Sequence, residues 1–140
     1  PQEVARYHKR ISGPLLDRID LQIAVQPVPL ESLAGREAAE PSSAIRARVV
    51  AAREVQRKRY EGTTIRCNAE MSGALLAQYG QPDEAGQALM NAAFERLGMT
   101  ARSYDRVIRV ARTIADLDGA EHISAAHVAE AIQYRFPERT

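Results

Sequence analysis

The chain has 140 residues, 45% of them hydrophobic and 26% charged, with a formal net charge of +1. That length supports one domain with a real core and not two, and near-neutrality excludes a polyanion-binding arm or an acidic tail, so any nucleic-acid surface has to be a local patch. The single cysteine, Cys67, excludes an internal disulfide and fits a reducing, cytoplasmic setting. No apolar run is long enough for a membrane span, and no basic leader precedes an apolar stretch.

The first 28 residues differ in pattern from the rest. Val4, Tyr7 and Ile11 suggest the last turns of a helix, which Ser12, Gly13 and Pro14 interrupt. Proline suits a first helical turn, where its missing N–H would be unpaired anyway, so 14–18 reads as one short turn with Leu15, Leu16 and Ile19 on its apolar side. Leu21, Ile23 and Val25 then alternate with Gln22, Ala24 and Gln26, the period of two of a half-buried strand. A lone strand leaves its backbone groups unpaired. Residues 20–28 are therefore expected to belong to a sheet whose other strands lie elsewhere, and the chain to be part of a larger protein. From 29 to 42, Pro29 and Pro41 bracket an Ala/Glu-rich stretch without an apolar stripe, which reads as a linker.

The remainder, 43–140, reads as a helical domain. Ser42 or Ser43 is placed to cap a helix to about Tyr60, with Ile45, Val49, Ala52 and Val55 on its buried side and Gly62 stopping it. A short helix over 70–78 carries Met71, Leu75 and Leu76. Pro82 and Asp83 open another with Ala85, Leu89, Ala92, Ala93 and Leu97, up to Gly98. Thr100 caps a long helix over 101–117 whose apolar stripe runs from Tyr104 through Val107, Ile108 and Ala111 to Ile114 and Ala115. Ser124 caps a last helix to about Arg135, with Val128, Ala131 and Ile132 facing inward. Short connections favour antiparallel neighbours in a bundle.

Few residues can carry chemistry. His8, His122 and His127 lack a metal-ligand spacing, Cys67 has only Arg66 beside it, and neither a glycine-rich phosphate loop nor a nucleophile elbow occurs. Arginines are the remaining candidates. Arg46, Arg48, Arg53, Arg57, Lys58 and Arg59 against Glu54 make a local basic surface on one helix. Such a run is commonly a solvated face, but Arg53, Arg57 and Lys58 are candidates for nucleic-acid contact. Arg102 stands at the second helical position after Thr100, where free N–H groups and the helix dipole favour an anion. Arg109 and Arg112 have structural partners in prospect at Asp105 and Asp116, four residues away on the same helix. Arg18, between Asp17 and Asp20 in "LLDRID", could pair with either.

Four ordered blocks, "RYHKRISGPLLDRIDLQIAV", "SSAIRARVVAAREVQRKRY", "TARSYDRVIRVARTIADLDG" and "ISAAHVAEAIQYR", resemble the C-terminal part of the magnesium-chelatase-related bacterial AAA+ ATPases of the ComM/YifB type. The resemblance covers nearly the whole chain, less distinctly at the Ala/Glu linker and over 63–99. It implies a mainly α architecture: a C-terminal helical lid over 43–140, a linker over 29–42, and over 1–28 the last piece of an α/β core, including its final strand. It also implies ATP, with Mg²⁺, bound in the full-length protein between core and lid and between neighbouring subunits of a ring, expected to be a hexamer. In this family and in the related minichromosome-maintenance helicases, the segment matching "LLDRID" holds the arginine finger, which falls on Arg18, acting in trans. The segment matching "TARSYDRVIRV" holds the second sensor arginine, which falls on Arg102, reaching an ATP phosphate.

The phosphate-binding loop, the Mg²⁺-holding acidic motif and the first sensor are not in these 140 residues, so this piece alone is expected to bind and hydrolyse no ATP. The resemblance implies a DNA branch-migration or helicase-like motor in recombination of incoming DNA. A magnesium-chelatase motor subunit for porphyrin metallation, or a helical nucleic-acid-binding or adaptor module without ATP, are the alternatives.

Overall fold

The structure, a computed structural model, describes Leu15, residues 18–23, Val25, Pro27 and residues 39–136. The helical spacing after residue 40 becomes five α-helices among the described residues: α1 (Ser42–Arg59), α2 (Gly73–Tyr79), α3 (Glu84–Leu97), α4 (Ala101–Leu117) and α5 (Ala125–Arg135). A 3₁₀ turn, Asn68–Glu70, precedes α2.

The organising element is α4, which touches α1, α2, α5 and the 3₁₀ turn, while α3 packs on α5. Its sequence explains this: Val107, Ile108, Ala111, Ile114 and Ala115 recur at helical spacing and are all buried. Burying a side chain the size of Val107 or Ile108 stabilises the fold by roughly 1.5 to 3 kcal/mol. Met90 and Ala93 of α3, and Val128 and Ala131 of α5, close the same core together with Ile123. The loops entering α3 and α5 are joined through an isolated bridge between Pro82 and Ile123, and the Asp83 N–H donates to the Ile123 carbonyl at 2.8 Å.

Helix ends follow local chemistry. The Asp83 carboxylate accepts from the Gly86 N–H at 2.7 Å, and Thr100 Oγ1 accepts from the Ser103 N–H at 3.1 Å while Ser103 Oγ accepts from the Thr100 N–H, a capping box. Gly98, at φ 60°, takes the left-handed position that ends α3. At α1 the expected serine cap is not used: Pro41 occupies the cap position with extended backbone, its carbonyl accepts from Ala44, and no side chain caps the helix. Both serines then lie inside the helix as its first two residues.

Two apolar stripes differ from expectation. In α3 the inward residues are Gly86, Met90 and Ala93, with Ala85 and Ala92 exposed. Gly86 explains this rotation, because the helix lies so close to the entering turn that a Cβ there would stand 2.9 Å from that of Pro82. In α1 the buried residues are Ala52 and Gln56, so of the expected inward side only Ala52 is enclosed. Ala52 is buried, whereas Ile45, Val49 and Val55 remain 44%, 46% and 41% exposed. The first two turns of α1 overhang the bundle. The short helix expected over 70–78 begins at Gly73, leaving Met71 fully buried in the turn before it.

The strand expected over 20–28 is not formed among the described residues. A strand exists only by pairing, and residues 21–23, 25 and 27 find no second strand: Leu21, Ile23 and Val25 are exposed, and the backbone contact here runs from the Gln22 N–H to the Tyr134 carbonyl at 2.7 Å. Ala24, Gln26 and Val28, the turns around Val4, Tyr7 and Ile11, and the linker up to residue 38 lie outside the described residues.

Candidate functional site

The residues singled out for chemistry sort into exposed cations and cations already engaged. Arg102 is exposed in the first turn of α4, and it makes no ion pair among the described residues. The Thr100 and Ser103 capping box uses the N–H groups of those two residues, leaving those of Ala101 and Arg102 outside it. An exposed arginine in the first turn, at the positive end of a 17-residue helix with N–H groups outside the capping box, is of a kind that suits a phosphate oxygen.

Arg18 is likewise exposed, and its N–H donates to the Leu15 carbonyl at 3.0 Å; Pro14 and Leu16 of the short turn expected over 14–18 lie outside the described residues. Of its two acidic neighbours, Asp20 is engaged elsewhere. The Asp20 carboxylate accepts from Arg106 Nη1, and the same nitrogen donates to the Arg18 carbonyl at 3.1 Å. Arg106 therefore takes the partner that sequence offered to Arg18, and holds the backbone of Arg18 while its guanidinium stays in solvent. Asp17 lies outside the described residues.

The basic run on α1 divides in the same way. Arg48 is bound to Glu40, and Arg57 donates through Nε and Nη2 to Glu54 at 2.9 and 2.7 Å. Arg59 turns inward. Arg46, Arg53 and Lys58 are exposed and make no ion pair among the described residues. Of the three candidates for nucleic-acid contact, Arg53 and Lys58 are thus open cations, and Arg57 carries a surface pair of the kind that contributes little to stability.

A buried polar network, which sequence reading caught only at Arg112 and Asp116, ties α1 to α4. Asp116, whose side chain is fully buried, accepts from Arg59 Nη1 at 2.7 Å, from Asn68 Nδ2 at 2.8 Å and from Arg112 Nε at 3.1 Å. Asn68 Oδ1 accepts from the Tyr60 hydroxyl at 2.6 Å, and Asn68 Nδ2 also reaches Thr113 at 3.0 Å. Arg112 also donates from Nη2 to the Ala120 carbonyl at 2.7 Å and from Nη1 to the Glu121 carbonyl at 2.8 Å. Burial pushes the Asp116 carboxyl up, but hydrogen bonds from Arg59 and Asn68 and the charge of Arg112 outweigh it, leaving it below its ordinary value. Hydrogen bonding to Asp116 raises Arg59, while burial lowers Arg112. A groove of about 480 Å³ flanks the network between Val55, Tyr79 and His122, but both of its arginines are already directed at Asp116. The expected pairing of Arg109 with Asp105 does not form among the described residues, and Arg109 Nε is buried without a partner there.

Of the described histidines and the cysteine, His127 has a clear structural role. His127 Nδ1 accepts from the Ser124 N–H at 3.0 Å at the start of α5, so the ring hydrogen sits on Nε2, 3.2 Å from Asp118. His122 is exposed, and Cys67 is half-buried with its sulfur 3.7 Å from Glu70. His8 lies outside the described residues. No group of three His, Cys, Asp or Glu side chains able to hold a metal occurs among the described residues, and no described helix is long and apolar enough to cross a membrane.

Comparison with known proteins places this arrangement. Residues 39–135 match the family described as magnesium chelatase, subunit ChlI C-terminal, and residues 1–33 match that described as magnesium chelatase, subunit ChlI. The competence protein ComM of Haemophilus influenzae is 36% identical over 96% of this chain and 26% of its own length. The YifB proteins of Salmonella typhimurium and Escherichia coli are 34% and 33% identical, each over 99% of this chain and 27% of their own length. The chain thus spans about a quarter of the length of these curated relatives. With residues 39–135, more than half of the chain, matching that family, the chain belongs to the magnesium chelatase ChlI C-terminal family, in the branch resembling ComM and YifB.

Proposed function

We propose that this chain is the C-terminal part of an AAA+ ring motor that hydrolyses ATP and acts on DNA, in which Arg102 contacts the nucleotide of its own subunit and Arg18 serves the site of the next. The observation that carries this reading is the disposition of Arg18: its backbone is held, its acidic neighbour Asp20 is occupied by Arg106, and its guanidinium is left exposed. A cation left exposed at the surface, with no ion pair among the described residues, is poorly explained by stability and well explained by a ligand supplied from outside. The name of one relative, a competence protein, favours DNA over porphyrin metallation as the substrate of the whole protein. The family's description as a magnesium chelatase subunit keeps metallation as the second reading.

In this reading the two arginines do different work. Arg102 sits at a helix start whose dipole and N–H groups already favour an anion, so it strengthens ground-state binding. Arg18 faces charge that develops on the transferred phosphoryl group, and such fingers are worth on the order of 10³ to 10⁵ in turnover with less effect on binding. ATP with Mg²⁺ would supply the phosphoryl chemistry. The residues of this chain supply charge and position.

The test uses the full-length protein. Arg18→Ala is expected to bind ATP and scarcely hydrolyse it. A phosphate-loop variant, which keeps Arg18, is also inactive alone. Co-assembled, the two recover hydrolysis where an intact finger meets an intact site. Confirmed co-assembly without recovery, or near-normal turnover by Arg18→Ala alone, overturns the role of Arg18. DNA-stimulated turnover on branched, linear and single-stranded substrates separates the DNA motor from the metallation subunit.

A further inference from the structure

We propose that Arg106 is a positioning residue that fixes the Arg18 segment to the lid, coupling the nucleotide read by Arg102 to the finger offered to the neighbouring subunit. This rests on the reading of Arg18 as a finger. Four contacts hold the segment. Arg106 Nη1 donates to the Arg18 carbonyl at 3.1 Å and to the Asp20 carboxylate. Arg135 Nη1 donates to the Ile19 carbonyl, and the Gln22 N–H donates to the Tyr134 carbonyl at 2.7 Å. Two come from α4 and two from the end of α5, so the chain at 18–22 is held against both helices by three backbone contacts and the Asp20 carboxylate, while the Arg18 side chain is left exposed.

The geometry is costly for a purely structural contact. The Arg106 side chain is only 19% exposed, and its Nε is buried without a hydrogen-bond partner among the described residues. An unsatisfied buried donor works against stability. Its Asp20 partner is 51% exposed, so the pair gains little as a surface ion pair. What the contact secures is the place of residues 18–20. Arg106 also follows Arg102 by four residues on α4, so both lie on one helix face. A shift of the first turns of α4 when Arg102 meets a phosphate is carried by Arg106 directly to the Arg18 backbone.

The alternative role for Arg106, as a second sensor for its own subunit's nucleotide, predicts a different result in mixed rings. In the full-length protein, Arg106→Ala and Asp20→Ala are each expected to lower kcat about 10- to 100-fold while leaving ATP affinity within about twofold, as a finger misplaced by an ångström would. Because the Asp20 contact is made by Arg106, Arg106→Ala/Asp20→Ala should be no worse than Arg106→Ala alone, while Asp20→Ala keeps the bond from Arg106 to the Arg18 carbonyl and is the milder single variant. Arg106→Ala mixed with a phosphate-loop variant should recover hydrolysis, since its own site is intact and the finger comes from the partner variant.

Asp20 is half in solvent, so Asp20→Ala keeps the test valid if Arg106→Ala proves unstable. Normal turnover of both variants in a protein that Arg18→Ala inactivates overturns the positioning role alone. Normal turnover of Arg18→Ala itself overturns the finger reading beneath it. Weakened ATP affinity in Arg106→Ala, or no recovery in confirmed mixed rings, makes Arg106 a contact of its own site and also overturns the proposal.

Discussion

Arg59 and Asp116, 57 positions apart in sequence, meet at 2.7 Å and join the last turn of α1 to the last turn of α4. Among the described residues Asp116 is also the one carboxylate paired with Arg112. Removing it strands two guanidinium groups in the interior. Asp116→Ala should therefore cost about 3 to 5 kcal/mol, well above the loss from a surface pair such as Arg57 with Glu54. Urea unfolding of the two variants side by side checks this; equal losses would contradict it.

The same carboxylate sets an acid limit. Its folded value lies below its ordinary one, so the unfolded chain binds a proton first as pH falls. The stability it contributes is complete above the unfolded carboxyl value of about 3.9 and is lost as pH drops through the folded value. The gap in urea midpoint between wild type and Asp116→Asn is expected to be constant from neutral pH to about 5 and to shrink below about 4. A gap independent of pH down to 3 would locate the acid loss in other carboxylates.

At the start of α4, Arg102→Ala in the full-length protein is expected to weaken nucleotide binding about 10- to 100-fold, the worth of a charge-assisted hydrogen bond. Lysine should restore it only in part, because a point charge lacks the planar fork. The exposed position predicts an unchanged melting temperature. Wild-type nucleotide affinity in Arg102→Ala would remove the residue from the site.

On α1, changing Arg53, Arg57 and Lys58 together to Gln tests the DNA face. If all three meet phosphates, the slope of log affinity against log salt should flatten by about two to three, with weaker binding at every salt concentration. The fold should hold, since none of the three is buried. Unchanged affinity and slope would leave the run as a solvated face.

Much of the bundle was legible from spacing alone. The stripe of α4 from Tyr104 to Ala115, the Thr100 cap and the Gly98 stop are local signals, and the structure repeats them. The overhang of α1 was not legible, because periodicity at Ile45 and Val49 identifies a face but says nothing of how far its partner extends. Asn68 and Gln56 are buried polar residues whose reason is Asp116 and one another, and no pattern within a window reveals a partner 48 positions away. Arg18 and Arg102 were singled out as candidates through resemblance and helix-end chemistry. The claim of Arg106 on Asp20, across 86 positions, could be seen only once the chain was folded.

The rooted half of α1 and its overhanging half make the helix a lever. Ala52 and Gln56 are its fulcrum, buried against α4, and the end at Ser42 stands about 15 Å beyond Ala52 at 1.5 Å per residue. A rotation of only about ten degrees at the fulcrum sweeps that tip through about 2.6 Å. A small repacking around Asp116 that turned the helix would be enlarged at the point where α1 receives the chain from Pro41, and a displacement of that end would reach the Arg59 and Asp116 joint reduced in proportion.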